Sequence, residues 1–274
     1  MGWFTLAVLG AVAYTVWYAV SIAREYLRRE RPNNVFNNVL LVTAHPDDEC
    51  MFFGPTLRTL QRSGSHIHVL CLSTGNYDGL GAHRTKELQA SCQVLGVTCT
   101  VEDTLQDGEK WDPEAVSDAI DEFVKETKWD AILTFDKFGV SGHLNHGNVH
   151  NGVRYFAARS ARPYILLELE SAPLLLKYSG MMAIVYEYVQ SLMGVMLSSQ
   201  KESVLNNQKK SGLSNQSVSS NRMVAVLEPN EAWTAYRAMA MHRSQLVWFR
   251  YLYLLFSRYM HINTVVVRHP SQLM

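Results

Sequence analysis

Residues 39–44, Val-Leu-Leu-Val-Thr-Ala, are apolar on both faces of a strand, and His45-Pro46-Asp47-Asp48-Glu49 follows without a break. A strand apolar on both sides has to lie inside a sheet covered by helices above and below, the setting of a central parallel strand. The segments that follow meet that demand. Their patterning predicts a helix over 52–63, a strand over 67–73, a Gly/Asn-rich loop over 74–81, a helix over 83–95 stopped at Gly96, and a strand over 97–102. A helix over 113–127 and a strand over 130–135 continue the alternation. The expected fold class is therefore α/β: a three-layer Rossmann-like domain with a mostly parallel sheet and right-handed crossovers.

The rest of the chain is less regular. A loop over 139–147 leads into a helix reaching 158, and 164–168 reads as a strand. Residues 181–197, apolar apart from Glu187 and Gln190, read as a core helix in preference to a membrane-contacting one. The Ser/Asn/Gln/Lys tract at about 198–221 has few large apolar residues and reads as a flexible insertion. A strand over 223–227, a helix over 231–240, an aromatic-rich helix over 244–260 and a strand over 262–267 complete the pattern. The aromatic residues of 244–260 read as core by default, with contact to a bilayer as the competing use.

With 274 residues and 47% hydrophobic content, one sizeable core is available. Twenty-five basic residues balance twenty-five acidic ones, which removes the general basic footprint of a nucleic-acid binder. Cys50, Cys71, Cys92 and Cys99 form no C-x-x-C pair and read as buried thiols of a reducing compartment. At the start of the chain, residues 3–23 carry no charge. As a helix they would rise roughly 31 Å, about the thickness of a bilayer's hydrocarbon. Four arginines follow within 24–31, so the expectation is an N-terminal transmembrane helix over 1–23, a basic and polar linker over 24–38, and a folded domain over 39–274 facing the cytosol.

In an open parallel sheet, ligands collect beyond the carboxyl ends of the strands, where His45-Pro46-Asp47-Asp48-Glu49 stands. An imidazole and short carboxylates suit a divalent ion, and a catalytic zinc site wants three such ligands. His45 and Asp48 can supply two. The third is expected from Gly142-His143-Leu144-Asn145-His146-Gly147 at another strand end, and the spacing alone leaves His143 and His146 open, with His150 one turn beyond. Adjacent side chains cannot easily both face one ion, so with Asp48 as ligand Asp47 is left as general base. The remaining histidine, in protonated form, would stabilise an oxyanion or hand a proton to a leaving amine. The bland alternative is a charged turn with satisfied polar groups.

The run AHPDDE, the GHxxH at 142–146, and the helix Arg84-Thr85-Lys86-Glu87-Leu88 leading to Leu95-Gly96 resemble the zinc-dependent LmbE-like de-N-acetylases. GNYDG at 75–79, FDKFGVSGHLNH at 135–146 and HRSQLVWFRYLY at 242–253 resemble the branch of that family acting on GlcNAc-phosphatidylinositol. The likeness covers nearly the whole chain except about 198–221. It implies that His45, Asp48 and His146 ligate Zn2+, that Asp47 is the base, and that His143 stabilises the tetrahedral intermediate. The implied reaction removes acetyl from GlcNAc-phosphatidylinositol, the second step of GPI-anchor synthesis, in a single-pass protein of the endoplasmic reticulum membrane. The alternatives are deacetylation of another GlcNAc conjugate, or an inactive membrane-anchored binding protein. Arg84 is a candidate contact for the inositol phosphate or a sugar hydroxyl, with pairing to Glu87 as the competing use. Glu49 would hold a ligand histidine or cap the following helix, and His242 with Arg243 would close the site.

Overall fold

The computed structural model describes residues 2–29, 36–125, 127–208 and 221–272. Its strands are β1 (Asn38–Thr43), β2 (His66–Cys71), β3 (Thr98–Val101), β4 (Ala131–Phe135), β5 (Ile165–Leu169), β6 (Arg222–Val226) and β7 (Ile262–Arg268). The helices are α1 (Gly2–Arg29), α2 (Asp48–Met51), α3 (Gly54–Arg62), α4 (Gly81–Leu95), α5 (Pro113–Val124) and α6 (Gly139–Gly142), then α7 (Leu144–Arg159), α8 (Leu174–Lys177), α9 (Met182–Gln208), α10 (Pro229–Met241) and α11 (Trp248–Phe256).

The strands form one sheet in the order β3-β2-β1-β4-β5-β7-β6. β1 pairs in parallel with both β2 and β4, as its two apolar faces require, and five of its six residues are buried. β3 and β5 extend the parallel part, while β7 runs antiparallel between β5 and β6, so the sheet is mostly parallel. From β1 the chain winds outward through β2 to β3, then returns to the other side of β1 for β4 and β5. That reversal opens a crevice beyond the carboxyl ends of β1 and β4, the place where doubly wound sheets hold their ligands.

α5 packs on α7, which lies over β1 and β4, while α4 packs on α10. The α5–α7 contact depends on a residue without a side chain. A Cβ at Gly152 would stand 2.1 Å from Cγ1 of Val116.

The N-terminal expectation needs correction. Among the described residues, no helix is long and apolar enough to cross a membrane. α1 does form, but Tyr14, Thr15, Trp17, Tyr18 and Ser21 dilute its apolar run. Its C-terminal part is committed to the domain, with Val20, Ala23 and Leu27 buried against Ala183 and Ile184 of α9, Val226 and Ile262. Residues expected as linker, 24–29, continue α1, and 30–35 lie outside the described residues. Of the tract at 198–221, residues 198–208 prolong α9 and 209–220 lie outside the described residues.

The helix expected over 244–260 is also different. It breaks into a 3-10 turn, α11, and a second 3-10 turn, Arg258–Met260, because Ser257 Oγ accepts the amide of Tyr259 and ends the α-helical path. No residue of α11 is buried, although the pattern reads as core.

His261, just before β7, is pushed down to about 4, by burial first and then by Arg24 of α1, against the Leu255 carbonyl that favours the charged form. Its folded pKa lies below its unfolded one, so acid favours the unfolded chain and stability falls as pH drops from about 6.5 towards 4. His261→Gln flattens that stretch of a urea-unfolding series against pH; an unchanged slope refutes the assignment. Gly152→Ala is expected to cost about 1–3 kcal/mol by overpacking, with Val116→Ala in the same chain restoring most of the loss in thermal unfolding.

Candidate active site

The first cluster leaves β1 through a backbone that only a determined set of contacts can hold. Asp47 sits at φ 116°, a left-handed conformation that a non-glycine residue adopts at a cost of about 1–3 kcal/mol. Its amide donates to Glu49 Oε2 at 3.1 Å, its carbonyl accepts from Met51 N at 3.0 Å, and Arg84 Nη2 donates to the adjoining Pro46 carbonyl at 2.8 Å. Asp48 turns back on the strand. Its Oδ2 accepts the amides of Ala44 and His45 at 3.1 and 2.9 Å, leaving Oδ1 facing His146 Nε2 at 3.2 Å.

The second cluster arrives from β4. Gly139, at φ 59°, lets the chain pass so close to His146 that a Cβ there would stand 2.6 Å from that histidine's own Cβ. The Gly139 carbonyl meets His146 Nδ1 at 2.9 Å, and the ring stacks on Phe135 at 4.2 Å with 3° between planes. With Nδ1 engaged by a carbonyl, Nε2 is the nitrogen presented to Asp48. His143 caps α7: its Nδ1 accepts the Asn145 amide at 3.3 Å, which leaves the ring's proton on Nε2.

His45, His143 and His146 bring one nitrogen each within 4.8 Å of one another. His45 Nε2 is buried without a hydrogen-bond partner; Asp107 Oδ1 comes within 3.0 Å of it but lacks hydrogen-bond alignment. The fold thus brings all the predicted ligands, and both open histidines, into one place. His150 is elsewhere, its Nδ1 on the Phe135 carbonyl at 3.0 Å. The cavity they share holds about 710 Å³ and is lined on one side by residues of α11.

Charge divides the two aspartates. Burial works against the ionised form of Asp48, yet His146 and His45 hold its carboxyl well below the usual carboxylate range. Burial pushes Asp47 up, the neighbouring Asp48 charge pushes the same way, and Arg250, Arg84 and His242 only partly offset them. One acid is thereby kept as a permanent anion and the other as a proton acceptor. For His45 burial opposes the charged form, but Asp107, Asp48 and Asp47 raise it. His143 goes down, through burial first and then the charges of His45 and His146. These effects favour the neutral imidazole over the protonated one expected from sequence.

The supporting residues differ most from expectation. Arg84 lines the cavity, giving Nη1 and Nη2 to the carbonyls of Gly75 and Pro46 and keeping Nε without a hydrogen-bond partner, and Glu87 accepts from Ser244 rather than from Arg84. Glu49 does not reach a ligand histidine. It is wholly buried, holds the Asp47 amide, and takes His242 Nε2 at 2.8 Å and the Ser91 hydroxyl on Oε1. His242 lies beneath the loop instead of over the site, and Arg243 is exposed. Two residues were not foreseen. Arg250 of α11 reaches Asp47 Oδ2 at 3.3 Å, from a segment whose pattern reads as core or bilayer contact. Asp107 comes from the loop after β3, and the rule that found the other clusters, acids beyond strand ends, applies to it too.

A parallel sheet with carboxylates and imidazoles converging at its switch point is the build of a hydrolase that works on a ligand held between β1 and β4. The family model described as PIG-L: GlcNAc-PI de-N-acetylase matches residues 40–157. The N-acetylglucosaminyl-phosphatidylinositol de-N-acetylase of Bos taurus is 35% identical over 93% of this chain and 95% of its own length. A protein of Schizosaccharomyces pombe named probable N-acetylglucosaminyl-phosphatidylinositol de-N-acetylase is 32% identical over 96% of this chain and 97% of its own. Among solved structures, a triple mutant of a deacetylase of the teicoplanin biosynthetic pathway superposes with a TM-score of 0.58 at 15% identity, over 85% of this chain and 98% of that one, a likeness of fold. The chain belongs to the GlcNAc-PI de-N-acetylase family.

Removing one partner of the wholly buried Glu49–His242 pair strands the other. Glu49→Leu is expected to cost roughly 3 kcal/mol in urea unfolding. Ser91→Ala, which removes only a neutral donor, is expected to cost about 1 kcal/mol. Equal losses in the two variants would contradict the network.

Proposed function

We propose that the chain hydrolyses the acetamide of GlcNAc-phosphatidylinositol, releasing acetate and leaving GlcN-phosphatidylinositol, the second step of GPI-anchor synthesis. The observation that carries the reaction is the convergence of His45, Asp48 and His146 in one cavity beside an aspartate of raised pKa. The substrate follows from relatives bearing that name along nearly the whole chain. The four free cysteines support a reducing setting, and we take the site of action to be the cytosolic face of the endoplasmic reticulum.

The donor set fits a divalent ion. The buried His45 Nε2 beside Asp107, the His146 Nε2 turned inward by Gly139 and the Oδ1 of Asp48 facing it make two imidazoles and one carboxylate, a set that favours zinc. Such an ion would supply Lewis acidity to the amide carbonyl and the attacking water. The protein's own groups do the rest. Asp47 takes a proton from water as its oxygen bonds to the acetyl carbon and the carbonyl electron pair moves onto oxygen. His143, neutral and carrying its proton on Nε2, donates a hydrogen bond to that oxygen. As the pair returns, the C–N bond breaks and the nitrogen takes the proton that Asp47 held. Arg250 and Arg84 flank the Asp47 carboxylate through both halves of the cycle.

Asp47→Asn is expected to lower acetate release from GlcNAc-phosphatidylinositol by about 10²–10⁴ while bound metal, counted by elemental analysis, stays at the wild-type level. His146→Ala loses metal and activity together, and a chelator abolishes turnover of the unaltered enzyme. Chelator-resistant turnover overturns the metal assignment, and full activity in Asp47→Asn overturns the base.

A further inference from the structure

α11 is apolar apart from Arg250 and has no fully buried residue; only Tyr253 and Leu254 pack half-buried against the core. Trp248 is 75% exposed, Leu255 60% and Tyr251 59%, on one side of the helix, while Phe249, Leu252 and Phe256 line the cavity on another. A helix apolar all round is normally covered. Here the protein leaves the cover to something else.

The exposed surface does not stop at the helix. The amide of Gly180 donates to the Phe256 carbonyl at 2.7 Å, joining α11 to the segment that carries Leu174 and Leu175, 71% and 90% exposed. Lys177 and Tyr178 from that segment line the same cavity mouth as Phe249 and Phe256. Residues 171–182 and 243–256 contain no aspartate or glutamate; of their cations Arg250 turns inward to Asp47, Lys177 donates to the Val140 carbonyl, and Arg243 is exposed. An apolar surface of aromatic and leucine side chains free of acids is the composition of an element lying in the headgroup region of a bilayer.

We infer that α11 and the α8 segment form a docking surface for an anionic lipid bilayer, seating the cavity mouth on the membrane. The inference rests on the lipid-linked substrate proposed above for the choice of partner. The cavity mouth and the apolar surface share residues, so a substrate with acyl chains need not leave the bilayer: its sugar rises between Phe249 and Tyr178 while its chains stay among the lipids. Exposed apolar patches of this kind mark a membrane or protein partner. The absence of acids together with the exposed Arg243 favours anionic headgroups over a second copy of this neutral chain.

The test uses the full chain and vesicles of phosphatidylcholine and phosphatidylserine, some with brominated acyl chains that quench tryptophan at the interface. Wild-type emission is quenched, and Trp248→Phe removes a share of that quenching, a difference to which the other tryptophans contribute nothing. The triple variant W248S/Y251S/L255S loses at least about tenfold of its turnover on vesicle-borne GlcNAc-phosphatidylinositol, yet stays within about twofold of wild type on a soluble GlcNAc-inositol phosphate without acyl chains. Quenching identical in Trp248→Phe and wild type, or equal loss on both substrates, would falsify the docking surface. So would a dimer in free solution that the triple variant dissociates while vesicle quenching at position 248 is missing. Because quenching requires no turnover, it separates failure of this surface from failure of the assigned reaction.

Discussion

The catalytic end of the molecule depends on one carboxylate. Asp48 places one oxygen on two backbone amides at the end of β1 and aims the other at His146 on α7. Segments almost a hundred residues apart are thereby fixed to each other at the point where the strand order reverses. Charge-assisted hydrogen bonds to backbone amides are among the stronger local interactions, and in a buried setting they hold a side chain's direction as well as its charge. The neighbouring Asp47 keeps its proton-accepting character because Asp48 has already claimed the negative charge of the pair.

Behind this first layer lies a wholly buried polar network. Glu49 joins the Asp47 amide to Ser91 of α4 and to His242, the residue that ends α10, so the reactive loop rests on two helices far apart in the chain. α11 closes the assembly from the other side, with Arg250 on Asp47 and Tyr253 donating to the Met51 carbonyl at 2.9 Å. The C-terminal part of the chain adds little to the parallel sheet, but it supplies the braces of the site.

Much of this was legible in the sequence, and the exceptions share a cause. The two-faced apolar pattern of 39–44 placed β1 at the centre, and the positions of HPDDE and GHLNH at strand ends brought both clusters to the crevice. Arg250 and the Glu49–His242 pair could not be read that way, since no local pattern distinguishes a charged residue aimed at a site from one in water. Apolar stretches erred in both directions. Residues 3–23 look like a bilayer span and 244–260 like core, but hydrophobicity records only that a segment avoids water, not what covers it. In α1 the cover of Val20, Ala23 and Leu27 is the domain itself, and in α11 the domain covers only part of Tyr253 and Leu254.

Asp47 carries one more implication. At φ 116° the backbone would be more comfortable with glycine, and burial beside Asp48 makes its charge costly as well. The residue assigned the chemistry is thus among the least suited to its own position. A redesign that selects substitutions for folding stability alone would replace it early and would be right by its own criterion. Robustness and reactivity pull in opposite directions at this one backbone position, so a hardened version of the protein has to find its gains elsewhere.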